Sequence, residues 1–265
     1  VPCMPDQPCE PSPAVGGIAF YHPGDPETVV ELGCADLTLL NDPVCTGATT
    51  QITAAVTDFD TLVSVPPSLA PHLTVSVGEP RSSIIGTMVH NTLEMMDLTQ
   101  LTYDQSGSTP SWQGLLPGQL AISCIQVDED VAARTDSVRC SPPANDLVGT
   151  RLAKATLDEI LAALGLTGFP DNGLVVGIVL DDQGNPASGL QVAASGLATV
   201  KYLSADRHSV GGAATSTGGI FLSQDATFGT TFSAMQAGQQ VQAVGGLIDG
   251  KVTIVVLQIP HQTGA

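Results

Sequence analysis

No apolar run in this chain travels far before a proline, a glycine or an Asp/Asn turn stops it. Nineteen prolines and 28 glycines are spread over 265 residues. Apolar stretches at 15–21, 37–40, 52–56, 61–65, 72–77 and 84–90 are separated by HPGDP, NDP, TDFD and VPPS. These breakers fix turn dihedrals or remove backbone donors, so the segments between them read as short strands. Leu73–Val77 (LTVSV) alternates with the period of two expected of a half-buried strand. Strands at this spacing predict a β-sandwich over residues 15–91.

Residues 92–170 read as a less regular connection. Pro110, Pro117, Pro142 and Pro143 exclude long helices across their positions. LAISCIQV (120–127) predicts a strand. A helix is expected from about Asp146 to Leu164, with Leu157, Ile160, Leu161 and Leu164 on one apolar face. Thr156 and Glu159 would form a capping box if it starts late, and Gly165 is its natural C-cap. From 171 to 265 the pattern returns to strands. Two apolar runs flanking Asp249-Gly250 predict a type I′ hairpin in QVQAVGGLIDGKVTIVVLQI (240–259).

The length is comfortable for two domains. Charged residues form 13% of the chain, with 26 Asp or Glu against 8 Lys or Arg, a net charge of −18. Such a surface repels nucleic-acid phosphates and anionic lipid, and both are excluded as partners. No run of about 18 apolar residues exists to span a bilayer. The arm 1–14, VPCMPDQPCEPSPA, has five prolines and reads as an extended tether. Six cysteines fall in close pairs, which predicts local disulfides Cys3–Cys9, Cys34–Cys45 and Cys124–Cys140 among the fifteen formal pairings. No C-x-x-C is present for a zinc site. Disulfides place the chain in an oxidising compartment: secreted, periplasmic or cell-surface, with a signal peptide or a lipidated cysteine expected upstream.

Val176-Gly177-x-Val179-x-Asp181-x-x-Gly184-x-Pro186-x-x-Gly189-x-x-Val192 resembles the opening of carboxypeptidase-regulatory-like domains. Thr215-Ser216-Thr217-Gly218-Gly219-Ile220-Phe221 resembles a second element of that family, with Ser216 where Asp is usual. Gly17–Phe20, Thr57–Pro67 and Leu73–Val77 resemble a weaker first copy. The resemblance implies two Greek-key, seven-stranded transthyretin-like sandwiches joined by an irregular segment with one helix. It further implies a scaffold or binding role without catalysis.

Catalytic patterns are missing from the sequence. Tyr21, Tyr103 and Tyr202 lack the Tyr-x-x-His-x-His partner of intradiol iron sites. No G-x-S-x-G accompanies His22, His72, His90, His208 and His261, and GGAATSTGG (211–219) lacks the lysine of a phosphate loop. The tail IPHQTGA lacks the Tyr-Arg-Gly-Ser ending of transthyretin-like hydrolases. Carboxylates beside turns suit calcium, at Asp128, Glu129 and Asp130 ahead of Asp58/Asp60 and Asp181/Asp182. Trp112, in STPSWQG, is either a sugar platform or a plug between the domains. The expected role is structural or adhesive, with self-association through the arm 1–14 or open strand edges such as 252–259. A carbohydrate-binding, calcium-dependent module is the alternative.

Overall fold

The computed structural model describes residues 49–85, 88–107, 109–117, 123–129, 136–142, 144–236 and 238–260. The arm 1–14, the expected strands 15–21 and 37–40, Cys3, Cys9, Cys34, Cys45 and Asp130 lie outside them. The first eight strands are β1 (Thr49–Asp58), β2 (Leu73–Ile85), β3 (Met88–Gln100), β4 (Thr102–Asp104), β5 (Ser111–Pro117), β6 (Ser123–Glu129), β7 (Ser137–Ser141) and β8 (Asp146–Arg151). The helix α1 (Lys154–Ala163) follows. Then come β9 (Leu174–Leu180), β10 (Val192–Ala194), β11 (Lys201–Tyr202), β12 (Ile220–Ser223), β13 (Thr230–Gln236), β14 (Gln239–Gly245) and β15 (Val252–Gln258).

The chain is a mainly-β sandwich fold, as expected. One eight-stranded sheet, β11-β12-β9-β15-β7-β6-β2-β3, forms the middle layer. A four-stranded sheet, β4-β5-β1-β8, covers one face of its β7-β6-β2-β3 half around Val56, Val75, Trp112 and Val127. α1 lies on that same face of the other half, with Leu157 and Ile160 against Val176 and Ile254. The three-stranded sheet β10-β13-β14 packs below, where Phe221, Phe232, Val179 and Val255 meet. β9 and β15 are therefore covered on both faces, which explains why LVVGIVL and VTIVV are near-continuous apolar runs. The later half, β9–β15, is seven strands in two packed layers.

Three expectations are corrected. Residues 92–170 are not an irregular connection, because they supply most of β3 and all of β4–β8 to the first sandwich. Within them, 146–151 is a strand rather than the start of a helix. β8 runs parallel to β1, with Leu147 buried between exposed Asp146 and Val148. Gly149 allows its close approach: a Cβ there would sit 2.8 Å from Val127. α1 begins at Lys154, and Thr156 donates to Asp60 instead of capping. Its end is as expected, with Gly165 at φ +72 and Leu166 N–H donating to the Leu161 carbonyl.

The Asp249-Gly250 hairpin is the third. β14 pairs with β13, and β15 pairs with β9 and β7, so the chain crosses between layers at 246–251. Only Gly250 of the dipeptide has positive φ, and Lys251 N–H returns to the Ile248 carbonyl, a type II geometry. The tight hairpin lies one connection earlier, between Gln236 and Gln239, with Gly238 at φ +80. The strand 252–259 is consequently paired with β9 along its length and with β7 at Val252 and Thr253, so its first residues are no open edge.

Candidate functional site

The polar chemistry gathers where the two sandwiches meet. β15 touches β7 only at Val252↔Ser137 and Thr253↔Val138. Just before these pairs, Lys251 donates to Asp136 at 2.7 Å. Asp136 lies against Asp128 of β6, whose carboxylate also accepts from Gln126 at 2.9 Å. Burial first, and then the Asp136 carboxyl, hold the Asp128 carboxyl above its ordinary value, while Gln126 and Lys251 oppose the rise.

On the opposite face of β6, Arg151 holds two acids. Its Nε and Nη2 donate to Glu129 at 3.0 and 3.1 Å, and Nη1 to Asp58 at 2.6 Å. A fork of this kind satisfies both carboxylates of a strand end and its neighbour in an otherwise acidic chain. A second bridge joins the halves: Arg207, at φ +60 in the 203–210 turn, donates to Asp60 at 2.7 Å. Glu159 of α1 lies 3.7 Å from the same guanidinium.

This geometry redraws the expected sites. Asp128 and Glu129 are consecutive in a strand and project to opposite faces, so they do not converge on one cation. Glu129 has its counter-charge in Arg151. Asp58 and Asp181 turn an oxygen to their own loops, accepting from Asp60 and Thr61 N–H and from Gln183 and Asn185 N–H respectively. Among the described residues no group of three or more His, Cys, Asp or Glu is arranged to hold a metal.

Trp112 is in β5, not in a loop, and is 1% exposed. Its ring stands 5.4 Å from Tyr103 in the core of the first sandwich. It is thus neither a surface platform nor a plug between the halves. Cys124 and Cys140 form the expected disulfide, directly opposite each other on β6 and β7.

Arg151, Arg207 and Lys251 escaped the sequence reading. The signal available was scarcity, since with only 8 basic residues each one is worth tracing to its acid. A groove of about 560 Å³ opens between α1, residues 166–169 and the start of β15. Leu161, Leu166, Phe169, Lys154, Asp158 and Asp136 are among the residues that line it.

Residues of the 176–192 and 215–221 stretches have structural duties. Thr215 Oγ1 donates to the Ala187 carbonyl at 2.8 Å and accepts from Leu190 N–H at 3.0 Å. Gly219, at φ +67, lies where a Cβ would meet the Val179 carbonyl at 2.6 Å. Phe221 roofs Gly177 across the β12–β9 ladder.

The sequence matches no protein-family model and no curated protein. Three solved structures share a coarse likeness. A streptococcal ancillary pilin is 12% identical, with 78% of this chain and 69% of that one covered and a TM-score of 0.21. A fimbrial protein from Bacteroides ovatus is 8% identical, with 82% and 52% covered and a TM-score of 0.21. A family 26 carbohydrate-binding module from Eubacterium rectale, solved with maltoheptaose, is 9% identical, with 78% and 93% covered and a TM-score of 0.22. The chain spans about half the length of the fimbrial protein. Scores this low carry neither topology nor role to this chain.

Proposed function

We propose that this chain is a non-catalytic structural or adhesive protein that works outside the cytoplasm and associates with itself. The observation that carries the reading is the continuous middle sheet, braced across both sandwiches by Lys251–Asp136 and Arg207–Asp60. Its polar clusters join strands and turns to one another, which suits a body that holds position. The Cys124–Cys140 bond supports an oxidising compartment. The resemblance to carboxypeptidase-regulatory-like domains supports a scaffold role on the same grounds.

Light scattering after size exclusion tests the reading. A mass above 27.0 kDa that grows with concentration is expected. A strict monomer at every concentration would refute self-association, and glycan-array binding by that monomer would refute the structural role.

The α1 groove favours a second reading. Half-buried Phe169 lines it together with the Lys154–Asp158 ion pair, so an aromatic side chain stands near polar groups, the combination a sugar ring requires. Carbohydrate binding abolished by Phe169→Ala and untouched by Trp112→Phe would establish it.

A further inference from the structure

The three strands of the lower sheet come from two stretches, 183–200 and 226–248, that contain no Asp, Glu, Lys, Arg or His. In a chain of net charge −18, one entire layer is therefore uncharged. Alternation places Val192, Ala194, Phe232, Ala234, Val241 and Ala243 on its inner face. The outer face then carries Ala193, Ser233, Met235, Gln240, Gln242 and Val244. Met235 is 61% exposed and Val244 42%, and Leu197, in the turn after β10, is wholly exposed. Elsewhere the outer surfaces carry exposed acids such as Asp146, Asp158 and Glu159.

We infer that this outer face docks against the same face of a second copy of the chain. The inference rests on the self-association reading and names its surface. Charge selects the occupant: two bodies of −18 repel over their acidic surfaces, and this layer lets them meet without opposing like charges. A two-fold contact places Met235 and Val244 of each copy against apolar and amide groups of the other. Two sheet faces pack in this way at about −30° and roughly 10 Å apart.

The footprint is small. Strands of up to seven residues at about 3.3 Å, three abreast at about 4.8 Å, cover a patch of on the order of 300 Å². A standard interface buries about 800 Å² per partner. The dimer is accordingly a weak one.

Sedimentation equilibrium of the whole chain from about 10 µM to 1 mM tests this, at about 50 and 500 mM NaCl. The mass should rise from 27.0 kDa toward twice that value. Salt should strengthen association roughly threefold or more by screening net repulsion. Met235→Glu with Val244→Glu should leave a monomer, and Gln242→Glu alone should weaken the dimer at least tenfold. All three positions are exposed, so unchanged melting certifies the variants, and Gln242→Glu serves if the double variant melts lower. Wild-type assembly that persists undiminished in these variants overturns this surface and leaves self-association standing. A wild-type monomer at 1 mM in both salts overturns both.

Discussion

Gly177→Ala tests the packing of the second sandwich most directly. Gly177 lies in β9, opposite Phe221 of β12. A Cβ built on its backbone falls 2.0, 2.3 and 2.4 Å from three carbons of the Phe221 ring. The ring has no exposed surface and stands 5.5 Å from Phe232, so it has little room to retreat. Overpacking of this kind costs about 1–3 kcal/mol, and a boxed aromatic belongs in the upper half of that range. For a body of this size, about 2–3 kcal/mol lowers Tm by roughly 5–10 °C. Thermal melts followed by circular dichroism read this directly, and a shift under about 2 °C would refute the reasoning. A double-mutant cycle sharpens the test. Phe221→Leu alone opens a void, but combined with Gly177→Ala it makes space for the new methyl. The pair should therefore lose less than the sum, by about 0.5–3 kcal/mol. Strict additivity would show that ring and methyl do not compete.

Three other perturbations follow from the same geometry. Replacing Cys124 and Cys140 by Ala opens a bridge spanning 16 residues and should lower stability by about 3 kcal/mol in urea unfolding. Arg151→Met leaves Asp58 and Glu129 together without their guanidinium, and should lose about 3 kcal/mol, largely recovered by adding Glu129→Gln. Asp128→Asn acts with pH. A carboxyl held above its unfolded value of 3.8 takes up its proton more readily in the folded chain, so its contribution is favourable in acid and lost as pH rises. The Asn variant should thus melt higher than wild type at pH 7, with the gain fading toward pH 4. Equal gains at both pH values would count against burial as the cause.

The sequence made local chemistry readable and left long-range pairing hidden. The Gly and Pro punctuation led to a mainly-β fold, and the Val176–Val192 motif led to the later sandwich, because each depends on a residue's own dihedrals or immediate neighbours. The helix end at Gly165 was equally visible. Its start was not, because Leu147 and Val148 belong to a strand whose partner, β1, lies about ninety residues earlier. Asp249-Gly250 looked like a hairpin for a similar reason: the dipeptide fixes a turn but does not say which strands it joins. Trp112 misled because a solitary tryptophan between Pro110 and Gly114 has the composition of a loop, whereas its neighbours Tyr103 and Ala54 are brought to it by strand pairing. The acid clusters were legible as residues, and their cations became meaningful only in three dimensions.

The two sandwiches share one sheet through a short ladder between β15 and β7, so backbone pairing and not a linker joins them. A gene fragment from 171 onward would strip β15 of Ser137 and Val138 and leave Lys251 without Asp136. Tension along β15 would load β7 in shear through two residue pairs, with the Arg207–Asp60 contact sharing the strain in parallel.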